Sequence, residues 1–145
     1  MKSFFGNVSL LALVGALVAG AAGIADAGTI KIGFNAPLTG FAAADGLSAK
    51  IGAQLAVDQA NAEGGINGVQ IELVVYDDQA SPKNSMTIAN KLIGQDKVNI
   101  GISGSYSGAT RAAAGVYQAA GIPFISAYAV HPDITRAGDY VFRTS

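Results

Sequence analysis

Short runs of β-branched and aromatic residues alternate with longer helical patterns along the chain from Thr29 onward. Each run is bounded by turn-forming residues, which is typical of strands in a sheet. The predicted strands are TIKIGFN (29–35), VQIELVVYD (69–77), VNIGIS (98–103), PFISAY (123–128) and YVFRT (140–144).

Three helical patterns separate the first four predicted strands. Gly64-Gly65 stops the first helix, Ser81-Pro82 supplies an N-cap and first turn to the second, and Gly121 ends the third, which starts near Gly108. Their apolar positions are Leu47, Ile51 and Leu55 in the first, Ile88, Ala89, Leu92 and Ile93 in the second, and Ala112, Ala113 and Val116, predicted as buried, in the third.

The alternation of strands and helices predicts an α/β fold, a three-layer doubly wound parallel sheet with helices on both faces. In such sheets ligands bind in loops at the carboxyl ends of the strands. Three loops qualify: NAPLTGFAAADG after the first strand, GSYSGAT after the third and SAYAVHPD after the fourth.

The first 27 residues differ from the rest of the chain. Lys2 precedes an almost unbroken apolar run, and Ala25-Asp26-Ala27 has the small-x-small spacing of a signal peptidase site. A membrane anchor is the alternative, but the run is rich in Ala and Gly, which favours a cleaved signal peptide, residues 1–27. The mature chain, residues 28–145, is then exported, most simply to the periplasm.

Composition narrows the possible classes of function. The chain is 50% hydrophobic and 13% charged, carries a net charge of −1 and has no cysteine. The high hydrophobic and low charged fractions favour a buried core. The small net charge provides no basic surface for nucleic acid, and the lack of cysteine excludes disulfides and thiolate metal sites. No cofactor and no nucleic-acid partner are predicted.

The loop GSYSGAT lacks the features of a phosphate or catalytic motif. Gly104 and Gly108 are three residues apart and Ala109 stands where a phosphate-binding loop has lysine; the centre of the GSYSG run is Tyr106 rather than a serine nucleophile. The loop does supply a helix N-terminus, where free N–H groups such as those of Ala109 and Thr110, with the Ser107 hydroxyl, favour an anion such as a carboxylate. Gly108 is predicted to belong to the same ligand site. A side chain of Ser107 or Thr110 that only caps the helix is the alternative.

An enzymatic site is weakly supported. His131, the single histidine, is followed by proline in a turn, so a hydrolase that pairs it with Ser107 is a minor hypothesis, and the chain is predicted not to be an enzyme. Asp77-Asp78 has no second cluster of ligands around it; we predict a solvated turn and no metal site.

The order of these segments resembles the leucine/isoleucine/valine-binding protein family, the periplasmic receptors of ATP-driven (ABC) importers. The similarity rests on KIGFNAPLTG (31–40), the run from Gly52 to Ile93 that contains NAEGGING, GSYSGAT, GIPFISAYAVHPDIT (121–135) and YVFRTS (140–145). It covers nearly all of the mature chain. The resemblance implies the first lobe of a two-lobed type I periplasmic-binding fold, with the second lobe absent from a truncated chain, and a membrane permease as partner.

The resemblance also implies a ligand site. The family's ligand serine falls on Ser107, and the backbone carbonyl that meets an amino-acid ammonium falls on Tyr128. A threonine that contacts the ligand is usual two residues later, where this chain has Val130. The bulky residue of the family's first loop falls near Asp45, with Phe41 four residues earlier.

These departures leave the cargo open. Branched-chain or other amino acids fit the family, whereas Tyr106, Tyr128 and Phe41 favour stacking on an aromatic acid. Asp45 pairing with a ligand ammonium and tyrosines packed within the lobe are alternatives. A ligand-sensing domain of a receptor or regulator with the same fold is the second functional hypothesis.

Overall fold

The strands and helices follow one another in the predicted order. The computed structural model describes residues 28–144; the predicted signal peptide, residues 1–27, lies outside the described residues. The elements are β1 (Ile30–Ala36), α1 (Ala43–Ala62), β2 (Ile71–Asp77), α2 (Pro82–Gly94), β3 (Ile100–Ser103), α3 (Ser107–Ala120), β4 (Phe124–Ser126), a 3₁₀ helix (Pro132–Ala137) and β5 (Val141–Arg143).

The strands form one parallel sheet in the order β2-β1-β3-β4-β5. Helix α1 packs on one face, where its Ala49 lies beside Phe34 of β1. Helices α2 and α3 cover the other face, where Leu92 and Tyr117 lie over Gly33. The predicted three-layer α/β fold is therefore confirmed.

Tyr117 of α3 lies at the centre of the main core. Its ring stacks on Phe124 of β4, with ring centroids 4.6 Å apart. A Cβ atom on Gly101 of β3 would overlap the Tyr117 ring, so the glycine makes room for it. Burial raises the pKa of the Tyr117 hydroxyl above its ordinary value because the phenolate cannot be solvated there.

The predicted helix boundaries of α2 and α3 depend on local chemistry and are confirmed. The Ser81 hydroxyl accepts a hydrogen bond from the Asn84 N–H at 3.4 Å, and Pro82 occupies the first turn of α2. Gly121 follows α3 with φ of 67°, the left-handed conformation that glycine adopts without strain.

Burial along the helices differs from the apolar pattern in two places. The α1 stripe of Leu47, Ile51 and Leu55 is exposed, and Ile51 reaches 68% exposure. On α3, Ala113 is buried as predicted, but Ala112 and Val116 are only half-buried. The buried face of α3 is instead formed by Ala109, Thr110, Ala113, Ala114 and Tyr117. Among residues 28–144, no helix has the length and apolarity needed to cross a membrane.

Candidate ligand-binding site

The strand order reverses between β1 and β3, and this topological switch point is where open α/β sheets bind ligands. Three loops meet at this edge of the sheet: the β1 loop (residues 37–42), the β3 loop (104–106) and the β4 loop (127–131). The register pairs Ser103, at the end of β3, with Ser126, at the end of β4, so the loops that follow start side by side.

Four of the predicted site residues contact one another across these loops. The Tyr106 ring lies between Phe41 and Tyr128, with ring centroids 5.9 and 5.7 Å away. Its hydroxyl donates a hydrogen bond to the Asp45 carboxylate in the first turn of α1. That hydrogen bond, with burial, raises the pKa of Tyr106 to about 12. Burial and the nearby Asp45 carboxylate also raise the pKa of Tyr128.

A pocket of about 420 Å³ opens beside this cluster, between α1 and the carboxyl ends of β1, β3 and β4. Asp45 and Tyr128 line it together with Ser48, and small apolar residues of α1 such as Ala49 and Ala53 give it depth. Asp45 is the one charged residue of this lining.

The N-terminus of α3 lies at the same edge. Tyr106 is the N-cap residue and its side chain makes no capping hydrogen bond. Its carbonyl accepts the Thr110 N–H at 2.9 Å, while the Thr110 hydroxyl donates to the Ser105 carbonyl at 3.1 Å. The capping alternative is therefore wrong. No side chain of the described residues caps the N–H groups at the start of α3, which lack intrahelical acceptors as in the first turn of any helix.

Ser107, Gly108 and Ala109 form this first turn of α3. Ser107 is half-buried, Gly108 is exposed and Ala109 is buried. Within residues 28–144, no hydrogen bond engages the Ser107 hydroxyl or the N–H groups of these three residues. The positive end of the helix dipole thus faces the loops with unused donors, which suits an anion.

The β4 loop is held by its neighbours. The Ser126 hydroxyl donates to the Ala129 carbonyl at 2.8 Å, and the Ala127 N–H donates to the Ser103 carbonyl at 3.0 Å. An Arg143 guanidinium N–H donates to the Val130 carbonyl, while the Val130 side chain is 63% exposed. The position where the resemblance implies a threonine hydroxyl therefore presents only methyl groups to solvent.

Asp78 is fully buried, so the prediction of a solvated turn is wrong for this residue. Its carboxylate accepts hydrogen bonds from the Asn35 amide at 2.7 Å, the Ser105 hydroxyl at 3.0 Å and the Ala80 N–H at 2.9 Å. Asn35 also donates to Ser85 of α2 at 2.9 Å. Burial raises the pKa of Asp78, and the three hydrogen bonds offset part of that rise. This network ties the ends of β1 and β2 to the β3 loop.

Asp77 makes a second connection, toward the β1 loop. Its carboxylate accepts from the Leu38 N–H at 2.8 Å, from the Thr39 hydroxyl and from the Gln79 N–H at 2.9 Å. Burial alone raises the pKa of Asp77, but these hydrogen bonds outweigh it and hold the pKa below its ordinary value. Sequence reasoning missed the roles of both aspartates. The feature that could have indicated them is the presence of polar residues, Asn35 and Asp77-Asp78, at the ends of two predicted strands.

Gly104 has a packing role in the β3 loop. A Cβ atom there would lie 2.7 Å from the Phe34 ring and 2.9 Å from the Ala49 Cβ, so the glycine lets the β3 loop pack under α1. Packing does not require a glycine at position 108, because a Cβ atom there would make an ordinary van der Waals contact with Pro82 at 3.6 Å.

Within residues 28–144, no hydrogen bond joins His131 to Ser107, its partner in the hydrolase hypothesis. Its Nδ1 accepts the Asp133 N–H at 3.2 Å and caps the 3₁₀ helix. Asp133 in turn pairs with Arg111 and Arg136 on the exposed surface. His131 therefore has a structural partner of its own.

The chain matches a known protein family over most of its length. The family model described as "Periplasmic binding protein" covers residues 29–145. The chain belongs to this family of periplasmic binding proteins.

Sequence relatives define a narrower group. A leucine-, isoleucine-, valine-, threonine- and alanine-binding protein of Pseudomonas aeruginosa is 39% identical over 119 residues, 81% of this chain and 32% of the relative. A Leu/Ile/Val-binding protein homolog 2 of Brucella abortus is 41% identical over 134 residues, 92% of this chain and 34% of the relative. The chain thus spans about a third of the length of these relatives.

Solved structures give the same result. The branched-chain amino acid substrate-binding protein LivJ of Streptococcus pneumoniae, in complex with isoleucine, is 42% identical with a TM-score of 0.78 and covers 81% of this chain and 34% of that one. A solute-binding protein of Rhodopseudomonas palustris, in complex with 3,4-dihydroxybenzoic acid, is 32% identical with a TM-score of 0.71, covering 81% and 32%. The type I periplasmic-binding fold and the resemblance are therefore confirmed.

Replacing Asp78 tests whether its buried network holds the site edge together. Asp78→Ala leaves the donors of Asn35, Ser105 and Ala80 without their acceptor, so we expect the free energy of unfolding to fall by about 2–4 kcal/mol in urea denaturation. Asp58→Ala, at an exposed position of α1, is the control and should change it by less than about 0.5 kcal/mol. Equal stability of the two variants would contradict the role of the network.

The Asp77 carboxylate should show its contribution in the pH dependence of stability. Because its folded pKa lies below the unfolded value of about 3.9, the stabilisation is present above that pH and is lost as the pH falls through the folded pKa. The stability difference between wild type and Asp77→Asn should be constant between about pH 7 and 5 and shrink below about pH 4. Thr39→Val, which removes one donor to Asp77, should weaken this pH dependence. A stability difference between wild type and Asp77→Asn that stays constant below about pH 4 would contradict the stabilising role of the Asp77 carboxylate.

Proposed function

We propose that the protein is the extracytoplasmic receptor of an ABC importer and that it binds a small carboxylate at the N-terminus of α3. The observation that carries the proposal is the uncapped first turn of α3, whose donors and Ser107 hydroxyl face the switch point of the sheet. In this proposal the chain forms the first of two lobes that close on the ligand, after export to the periplasm and before delivery to a membrane permease.

The relatives support a carboxylate as the common feature of the ligand. Isoleucine, 3,4-dihydroxybenzoic acid and 4-hydroxybenzoate are the ligands of three similar solved structures, and each carries a carboxylate. Beyond that group they share little, since one is an aliphatic amino acid and the other two are aromatic acids without an ammonium.

The site also suits reversible binding. Neither the first turn of α3 nor the lining of the adjacent pocket contains a lysine or arginine. Neutral N–H and hydroxyl donors hold a carboxylate through the helix dipole without forming an ion pair, so the ligand can be released to a permease. A receptor needs this property, whereas a hydrolase would need a base beside Ser107.

Ser107 should contribute directly to carboxylate binding. We expect at least one of leucine, isoleucine, 4-hydroxybenzoate and 3,4-dihydroxybenzoate to raise the melting temperature, whereas leucinamide and 4-hydroxybenzamide, which lack the carboxylate, do not. Ser107→Ala should weaken the binding of that acid by about tenfold in calorimetry because a hydrogen bond to a charged group is lost. Thr87→Ala, on the exposed side of α2, should leave it unchanged. Amides that bind as well as the acids would refute the proposal.

Val130 should decide how well the site accepts an ammonium. Val130→Thr adds a hydroxyl at nearly constant volume on an exposed side chain, so it should increase affinity for leucine relative to 4-hydroxybenzoate by about tenfold. Val130→Ala changes the size without adding a donor and should leave this ratio within about twofold. The ratio is measured by calorimetry with both ligands. An equal change for both ligands would show that position 130 does not contact the ammonium.

A further inference from the structure

The Asp45 carboxylate has acceptor capacity that the protein does not use. A carboxylate offers about four lone-pair sites, and within residues 28–144 Asp45 accepts a hydrogen bond from Tyr106 and also interacts with the nearby Tyr128 hydroxyl. Asp45 also forms part of the wall of the 420 Å³ pocket, on the same helix as Ala49 and Ala53, which give the pocket its depth. A group entering this pocket therefore meets a free acceptor at its edge.

The side chain of Tyr106 indicates the distance between the N-terminus of α3 and the Asp45 carboxylate, the two ends of the proposed site. The backbone of Tyr106 is the N-cap of α3, and its hydroxyl reaches the Asp45 carboxylate. A para-hydroxyphenyl group thus spans the distance from the α3 N-terminus to Asp45. A ligand with a carboxylate at one end of a benzene ring and a hydroxyl at the other has nearly the same reach.

We propose that the ligand is an aromatic carboxylate with a phenolic hydroxyl, and that Asp45 selects it by accepting a hydrogen bond from that hydroxyl. This inference depends on the proposed function, which places the ligand carboxylate at Ser107 and the first turn of α3. Asp45 is then the residue that determines specificity at the far end of the ring.

The aromatic side chains supply a surface for the ring of the ligand. Tyr128 is 42% exposed and borders the pocket that Asp45 lines. The ligand ring does not fit between Tyr106 and Tyr128, because their centroids are 5.7 Å apart and two stacking contacts need about 7 Å. In this proposal the ring of the ligand contacts the exposed part of Tyr128 that borders the pocket.

An α-amino acid uses Asp45 poorly. Its ammonium is attached to the carbon next to the carboxylate, so both groups must bind at the same end of the site, near Ser107. Asp45 is one hydroxyphenyl length away from that end. An aliphatic side chain would reach Asp45 with no donor to offer and would leave the carboxylate desolvated, which disfavours it.

Asp45 also supports a neutral phenol in the bound state. The pKa of Tyr106 rises to about 12 because its hydrogen bond to Asp45 is lost when the phenol ionises. A ligand phenol that donates to Asp45 experiences the same kind of effect and remains a donor at neutral pH.

The test compares 4-hydroxybenzoate with 4-methoxybenzoate, which has a similar size but no donor, by calorimetry on the intact chain. We expect 4-hydroxybenzoate to bind at least about tenfold more tightly, since the lost hydrogen bond is to a charged acceptor. Asp45→Ala should reduce this ratio to within about twofold, while the affinity for unsubstituted benzoate changes little. Asp58→Ala, an exposed acid on the same helix, is the matched control, and Tyr106→Phe, which removes a competing donor and keeps the ring, should preserve the ratio.

The outcomes separate this inference from the proposed function. Equal affinity for the hydroxy and methoxy acids, or a ratio that survives in Asp45→Ala, would overturn the role of Asp45. Binding of leucine without binding of any benzoate would overturn the aromatic ligand and leave the carboxylate receptor intact. If wild type binds none of these carboxylates, the proposed function itself fails. Circular dichroism of each variant checks that the helices are retained.

Discussion

The buried carboxylate of Asp78 is the interaction on which the edge of the sheet depends. Desolvation disfavours its charge, and the structure compensates with the Asn35 amide, the Ser105 hydroxyl and the Ala80 N–H. These donors come from the end of β1, the β3 loop and the turn after β2. Because a buried charge tolerates few arrangements of its partners, the network fixes how the three segments lie relative to one another.

The site is built on that fixed edge and uses mainly backbone groups. Asp77 holds the β1 loop that leads to Phe41, and Asp78 holds the β3 loop that leads to Tyr106 and Ser107. The first turn of α3 can then face the ligand with donors of fixed direction, which is what preorganised recognition of a small anion requires. The two adjacent carboxylates position the site, and the groups that we expect to touch the ligand belong to other residues.

The sequence predicts the features that local chemistry determines. The alternation of β-branched runs with helical patterns gave the strand order along the chain, and the caps at Ser81 and Gly121 need only neighbouring residues. Burial could not be predicted in the same way. The stripe of Leu47 and Ile51 has helical spacing yet is exposed. Helical spacing predicts which residues share a face of the helix, but it does not predict whether another element covers that face.

Part of the candidate site also follows from tertiary contacts that no local pattern contains. The hydrogen bond between Tyr106 and Asp45 joins residues 61 positions apart, and the one between Asn35 and Asp78 joins residues 43 apart. Ser107 was predicted as a candidate because the sequence pattern indicates a helix N-terminus there, and α3 does begin at Ser107. The burial of Asp78 was missed because an Asp-Asp pair before a turn looks the same whether it is solvated or enclosed.

The central claim is that a ligand carboxylate binds the first turn of α3. The most direct measurement is a ¹H–¹⁵N NMR titration of the protein with 4-hydroxybenzoate and with isoleucine, following each backbone amide. The account predicts that a bound acid moves the Ser107, Gly108 and Ala109 amide protons downfield, as expected for new hydrogen bonds to a carboxylate, and more than any amide of α2. Saturable binding that leaves these three amides unmoved would contradict it.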